Sequence, residues 1–584
     1  MAFDSFVLAA VLHEIRPVAL RSRIGKIHQP DKSTVILKFH GLEGGGKLLL
    51  SAHPEQGRMQ ITESVRENPM KAPLFAMVLR KWLEGAKILA LEQTPGERVA
   101  QIQLETRNDI GDITLCRLIV EIMGKHSNII LVNEDGMIVD GIRRYGSNLS
   151  RYRQVLPGQP YIPPPPMHKL TLKDADEDRL AQALFRRPEL PLKEALVKNV
   201  CGVSPLFAVS CCCAHNIDEN CLCEELGIYE ISKLCQALTD LREKTSTGAF
   251  QPVLLYRQGQ PVDFAAFLPS QWQTEEYRSF SGMSQAMDAF YGYKEQQALF
   301  QEQKRALNKT FSHHIARLDK KISLQEQDLR QCEAADRYKE AGDLLSAYQY
   351  HLRKGMESAE LPSFADENAT VTIALNPALS PQENIGYYYR RYSKAKNART
   401  PIERHLQANR EELDYVFSLQ TMVNCAEKSS DLQAIAKEAA SEGLIRPPAP
   451  AGKGDKKHTK EKEPALPPRQ YTSPDGYTIL AGRNNKQNDK LTLKMAAEKD
   501  IWLHAQKIPG CHVIIESRGG EVPDATLRMA AEIAAWFSDG READKIAVDY
   551  TLAREVKKPA HAKPGMVIYF KQKTLYVQPK EPGK

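Results

Sequence analysis

The sequence predicts an α+β multidomain protein that carries a long antiparallel coiled-coil arm. Three observations support this. Short β-like apolar runs alternate with helical patches through residues 1–160. A glycine-poor, highly charged stretch over 284–355 repeats its apolar residues in steps of three and four. The chain's 584 residues also exceed what one hydrophobic core serves, so about three or four domains are expected.

Composition narrows the class. Hydrophobic residues make up 42% and charged residues 26%, ordinary values for a soluble globular chain. No apolar run reaches the ~18–20 residues of a membrane span, so no membrane partner is expected. The start, Met-Ala-Phe-Asp-Ser-Phe, places an acid at position 4 and lacks the basic opening of a signal peptide. Eleven cysteines without an export signal read as reduced thiols of a cytoplasmic protein. Cys211, Cys212, Cys213, His215, Cys221 and Cys223 crowd one place. Their spacing lacks paired Cys-x-x-Cys, so the core reading is preferred to zinc, and no metal or cofactor is expected. The formal charge of +6 is compatible with an RNA partner.

In chain order, strands are expected at 35–39, 47–51, 99–104 and 128–132, and helices at 5–14 and 73–84. Gly44-Gly45-Gly46 reads as a hairpin loop between strands. The proline run at 163–166 closes a first domain, 1–170, as a stiff linker. Residues 175–240 read as helical. At their centre, Val200-Cys201-Gly202-Val203-Ser204-Pro205-Leu206-Phe207-Ala208 matches either a plain helical hairpin or a helix-hairpin-helix turn with serine at its second glycine position. Turns of the latter kind offer backbone N–H groups to phosphates. Residues 250–283 return to β character and are assigned to the N-terminal globule.

The arm spans 284–440. Leu307, Phe311, Ile315, Leu318 and Ile322 form its seam. A second helical run at 383–440 follows a short β-like insert at 370–374. A helix of about sixty residues spans about 90 Å. Such an arm suits a protein that touches two places on something large, whereas dimerisation is the commoner use of such seams. Proline and charge then mark a linker at 446–468, and a last domain occupies 469–584.

That last domain opens with turn signals, Pro474-Asp475-Gly476 and Gly482-Arg483-Asn484-Asn485. Arg483, Asn484, Asn485, Lys486, Gln487, Asn488 and Lys490 combine amides with cations, as a phosphate- and base-edge-facing surface does. A polar hairpin followed by a helix accounts for the same residues. Between 545 and 584 stand nine Lys/Arg against three acids, with Lys557 and Lys558 adjacent. This is a basic face or a solvated surface. No Gly-x-x-x-x-Gly-Lys-Ser/Thr, His-Glu-x-x-His or Gly-x-Ser-x-Gly constellation occurs, so the chain reads as a nucleic-acid binder rather than an enzyme.

Several longer segments carry a resemblance. They are Lys26-Ile27-His28-Gln29-Pro30, Leu48-Leu49-Leu50-Ser51-Ala52-His53-Pro54, Leu79-Arg80-Lys81 and Asn108-Asp109-Ile110-Gly111-Asp112. Glu121 through Leu131, Val155-Leu156-Pro157-Gly158, Leu375 through Pro381, and Tyr392-Ser393-Lys394-Ala395-Lys396 extend it, together with residues 471–515. In this order along nearly the whole chain, they resemble the NFACT family of ribosome-associated quality control, some of whose members carry fibronectin-binding names.

The resemblance implies a glycosylase-like N-terminal α+β domain (NFACT-N) with a helix-hairpin-helix insertion, the arm, and a C-terminal α+β NFACT-R RNA-binding domain. It implies binding to a large ribosomal subunit, its rRNA and proteins, obstructed by peptidyl-tRNA. It further implies recruitment of alanyl-tRNA for C-terminal alanine tailing, with room for a small RNA-binding rescue partner. Position 2 is Ala, not the proline nucleophile of glycosylases, so that chemistry is not expected. The family's tRNA-binding signature, an Asp-Arg pair plus an N-terminal acid, falls on Glu97, Arg98 and Asp4. Glu97 is one methylene longer than the family's Asp. A cell-surface fibronectin-binding adhesin is the alternative, against which the missing export signal speaks.

Overall fold

The computed structural model describes residues 3–42, 44–64, 67–107, 110–146, 152–333, 335–364, 369–446 and 466–582. Position 2, Asn108-Asp109 of the family segments and most of the 446–468 linker lie outside these. The chain divides into two compact units, Met1–Gln296 and Gln297–Lys584.

The first unit begins with helix α1 (Ser5–Ala19), which Asp4 caps. Pro17 sits inside its last turn, so the helix runs past the 14 expected. Strands β1 (Arg23–His28), β2 (Thr34–Gly41), β3 (Gly44–Ser51) and β4 (Arg58–Ile61) follow, then helix α2 (Leu74–Leu83). Next come β5 (Lys87–Gln93), β6 (Val99–Arg107), β7 (Ile113–Glu121), β8 (Asn128–Asn133) and β9 (Ile138–Gly141). Among the described residues these nine strands form one sheet, in the order β4-β3-β2-β1-β5-β6-β7-β8-β9. Every pairing in it is antiparallel. The alternation in β6, with Ile102 and Leu104 buried between half-buried neighbours, is the period-2 pattern of a sheet with one covered face. The glycines expected in a loop instead open β3. Gly45 pairs with His40, and a Cβ there would lie 2.7 Å from the Phe39 carbonyl oxygen. The close approach of two backbones is what requires glycine there.

α1 packs across β2, β3, β4 and β5. Its Phe6 ring meets Phe207 edge-on at 5.0 Å. Phe207 belongs to a helical group made of α3 (Glu177–Leu184), α4 (Leu192–Asn199), α5 (Pro205–Cys213) and α6 (Ile228–Thr247). The helical insertion and the sheet therefore share one core. The return segment contributes β10 (Val253–Arg257), β11 (Gln260–Ala265) and β12 (Tyr277–Ser279), a three-stranded sheet in the order β11-β10-β12.

Helix α7 (Met283–Glu333) starts in this unit, and side chains tie its first turns to β4. Asp288 accepts hydrogen bonds from Gln60 and Thr62, and the Ser284 hydroxyl accepts from the Ile61 N–H at 3.0 Å. The Arg58 guanidinium lies 3.8 Å from the Tyr291 ring centroid.

The second unit holds the rest of α7, then α8 (Ala335–Ala347), the hairpin β13 (Ser358–Pro362) and β14 (Thr370–Ala374), and α9 (Pro381–Asn424). The seam predicted for α7 is filled from within the chain. Phe311 and Leu318 share a core cluster with Tyr415, Val416 and Leu419. Lys321 donates to Asn409 at 3.0 Å and Gln420 donates to Ser312 at 2.9 Å, in antiparallel register. The run expected at 383–440 is not one helix. It breaks after Asn424, and α10 (Ser429–Ser441) restarts where Asp431 accepts from the Glu427 and Lys428 N–H groups.

The last domain contains β15 (Arg469–Thr472), β16 (Thr478–Ala481), α11 (Asn485–Lys490), β17 (Ile501–Ala505), β18 (Val513–Ile515) and α12 (Asp524–Trp536). It continues with β19 (Ile546–Leu552), the short pair β20 (Val556–Lys557) and β21 (Ile568–Tyr569), and β22 (Lys573–Val577). Its main sheet runs β15-β16-β18-β17-β19-β22. Helix α12 covers one face, where Leu503, Val513 and Val548 are buried. Trp502 and Ile514 point to the other face and form a smaller cluster with Leu491 and Val556.

Candidate RNA-facing sites

Folding brings Asp4, Glu97 and Arg98 together from two places in the sequence. The turn carrying the pair is built by Gly96, at φ +70, and by a hydrogen bond from the Glu97 N–H to the Thr94 carbonyl at 2.9 Å. Gln93 locks that turn to α1, donating to the Ser5 carbonyl at 2.9 Å and the Glu97 carbonyl at 2.8 Å. Arg98 donates to the Phe3 carbonyl at 3.4 Å. Glu97 and Arg98 stay half-buried. Desolvation, then the nearby Glu121 carboxylate, raises the Glu97 pKa. Desolvation lowers that of Arg98, opposed by Asp4.

Asp4 corrects the sequence reading. It is 7% exposed, and its carboxylate accepts from the Phe6 and Val7 N–H groups at 3.0 and 2.9 Å and from the Ser204 hydroxyl. Burial pushes its pKa up to about 6 against these hydrogen bonds. A buried, saturated carboxylate does not read a ligand. It fixes the start of α1 beside Arg98.

The hairpin turn between α4 and α5 supplies the third side. Gly202 has φ +87, and a Cβ there would lie 2.9 Å from the Ser5 Oγ and 3.4 Å from the Gly96 Cα. Ser204 caps α5 and bonds Asp4, which accounts for serine at the second glycine position. The turn is therefore packed onto α1 and the 94–98 turn. Sequence reasoning missed the roles of Ser5 and Gln93, because contacts across some two hundred residues leave no local signal.

In the second unit, Arg483, Asn484, Lys486 and Lys490 border a cleft of about 760 Å³ between α10 and α11, joined by Lys437, which the sequence did not single out. Asn484 caps α11, accepting from the Gln487 N–H at 2.8 Å. Lys486 and Lys490 are exposed. Four expected contacts are corrected. Asn485 and Asn488 are 2% and 0% exposed, the first donating to the Ser418 hydroxyl and the second accepting from the His512 N–H. They hold the loop and face no partner. Arg483 is anchored, donating to the fully buried Asp431 at 3.1 Å and to the Pro467 carbonyl at 2.9 Å. Lys558 is ion-paired with Asp489, which offsets its charge. Lys557 is exposed but does not border the cleft.

The cysteine cluster is core-like. Burial pushes the Cys211 and Cys212 thiols up to about 12, and no group of three or more metal-ligating side chains occurs among the described residues. Nor, among them, is any helix long and apolar enough to cross a membrane.

With a mixed α+β fold, a long helical arm and a separate β-rich last domain, the architecture is that of a multidomain binding protein. A profile of the NFACT N-terminal and middle domains matches residues 4–462, and one of the NFACT RNA-binding domain matches residues 468–570. The chain belongs to the NFACT family. It is similar to the Rqc2 homolog RqcH of Bacillus subtilis, 37% identical over 581 residues that cover 99% of this chain and 98% of that one. RqcH of Streptococcus suis is 32% identical over 587 residues, covering 100% and 99%. Among solved structures, the N-terminal part of the fibronectin/fibrinogen-binding protein of Streptococcus suis is 31% identical, with a TM-score of 0.41, covering 50% of this chain and 99% of that one.

Proposed function

We propose that this chain is a ribosome-associated quality-control factor. It binds a large ribosomal subunit obstructed by peptidyl-tRNA and recruits alanyl-tRNA, so that the stalled chain gains a C-terminal alanine tail that marks it for degradation. The full-length similarity to the RqcH proteins, named as Rqc2 homologues, carries this reading.

The geometry supports it. Glu97 and Arg98 sit on a turn pinned from two sides, and offer a carboxylate and a planar guanidinium at fixed spacing. The exposed Lys486 and Lys490 beside the α10–α11 cleft suit an RNA backbone. On this reading the protein holds and positions its partners in the cytoplasm, and the ribosome makes the peptide bond.

Alanine substitution of Glu97 and Arg98 together tests the reading. tRNA recruitment is expected to vanish while co-sedimentation with large subunits persists. Alanine tailing at wild-type rate by the double variant would show the site assignment to be wrong. A second reading, a surface protein that binds fibronectin, draws only on the name of the solved Streptococcus suis relative. Cell fractionation separates the two, since an adhesin is found outside the membrane.

A further inference from the structure

A second cleft in the Gln297–Lys584 unit has a different chemistry from the lysine-rich one. It encloses about 1130 Å³ between α9 and the face of the last domain's sheet opposite α12. Its floor is aromatic. The His504 imidazole stacks on the Trp502 indole at 5.8 Å with the planes 13° apart. The Tyr569 ring lies 4.8 Å from Trp502, and His512 meets both Trp502 and His504 edge-on, at 5.3 and 5.4 Å. Trp502 is fully buried behind His504, whereas His504 and Tyr569 are half-buried.

Trp502 borders the cleft, yet its buried indole Nε1 has no hydrogen-bond partner. A buried indole N–H normally finds an acceptor, so an unmet one at a cleft floor indicates a ligand that supplies it. His512 does not supply it, because its Nδ1 is engaged by the Thr492 hydroxyl at 2.7 Å.

The wall from α9 presents Glu411, Glu412 and Asp414, and the opposite rim carries Lys507 and His561. Carboxylates along the wall repel phosphate from the interior, while the rim cations attract it outside. A flat π-face, a deep N–H donor, hydrogen-bond acceptors along one wall and cations only at the mouth fit one ligand class. We infer that this cleft takes an unstacked nucleobase of single-stranded RNA, stacked on His504. The base acceptor meets the Trp502 N–H, its exocyclic amine meets the α9 carboxylates, and its phosphate stays at the Lys507 rim. The amine requirement favours adenine, cytosine and guanine over uracil. This inference rests on the reading of the chain as an RNA-binding ribosome factor.

The test uses the full chain and labelled single-stranded RNAs of about eight nucleotides, the span of an ordinary single-stranded site. Oligo(A), oligo(U) and an abasic chain of equal length are titrated by fluorescence anisotropy. Oligo(A) is expected to bind about 5- to 100-fold more tightly than the abasic chain, the range set by base–aromatic stacking. Oligo(U) falls between them. His504→Ala brings oligo(A) to the abasic affinity, and His504→Phe restores the gap. Trp502→Phe, which keeps a ring but removes the donor, narrows it. The salt slope stays the same in all three variants, because no phosphate contact is lost. Equal binding of oligo(A) and the abasic chain, no RNA binding at all, or a gap unchanged in His504→Ala overturns the inference. Co-sedimentation with large subunits is scored separately. A chain that binds subunits without base preference overturns this inference alone. One that discriminates bases but binds no subunits keeps it and overturns the quality-control reading.

Discussion

The Ser5 hydroxyl donates a 2.9 Å hydrogen bond to the carbonyl of Gly202, 197 residues away. This contact closes the helical hairpin onto α1 and sets the distance between Asp4, Arg98 and Ser204. It also makes Gly202 irreplaceable, since its φ of +87 and its 2.9 Å Cβ clearance to Ser5 both exclude a side chain. Gly202→Ala is expected to destabilise the first unit by roughly 1–3 kcal/mol. A lower urea midpoint in that unit's transition checks this, and an unchanged midpoint contradicts it.

Asp4 gives the first unit a pH dependence. Its carboxyl is raised from 3.8 to about 6 because burial disfavours the charge. The folded state therefore keeps this proton over a window where the unfolded state has lost it. The stabilising contribution is full below about pH 4 and declines as pH rises to about 6, by on the order of 3 kcal/mol. Asp4→Asn is expected to flatten that slope. Urea unfolding at pH 4, 5, 6 and 7 measures it; a variant with the same slope as the wild type assigns the titration elsewhere.

A buried ion pair braces the far edge of the sheet. Arg153 donates two hydrogen bonds to Glu121, at 2.6 and 2.5 Å, and the Tyr161 hydroxyl donates a third at 2.9 Å. Glu121 is fully buried. Arg153→Met leaves an uncompensated buried carboxylate, and a loss of about 3–5 kcal/mol is expected. The pair Arg153→Met with Glu121→Leu should recover most of it, and thermal unfolding of both variants decides.

The thiols should divide by burial. Cys211, Cys212 and Cys511 are pushed up to about 12 and are almost wholly buried. Cys213 and Cys221 are half-buried. At pH 8 iodoacetamide is expected to label the second group in native protein and the first only after unfolding. Peptide mapping reads the order, and fast labelling of Cys212 contradicts the packing described.

Local pattern made much of the fold legible. Alternation placed β2, β3, β6 and β8, and the three-four repeat placed the seam of α7, because each of these elements buries one face of its own. Strands β1, β5 and β7 went unread, since their signals mix charge with apolar residues and their partners lie on distant strands. The break between α9 and α10 escaped too: it depends on Asp431 capping α10, and no glycine or proline marks it.

The candidate sites divide in the same way. The sequence by itself determined the family, the binding character and the Glu97-Arg98 pair, because motifs and charge are local properties of a chain. It did not decide which polar residues face a partner. Asp4, Asn485 and Asn488 look like readers on paper and are buried supports in the structure, whereas Lys437 and the Trp502–His504 stack gain their places only through packing. Burial is set by what lies across the core, and a polar side chain with buried partners is fixed by hydrogen bonds that no local sequence window contains.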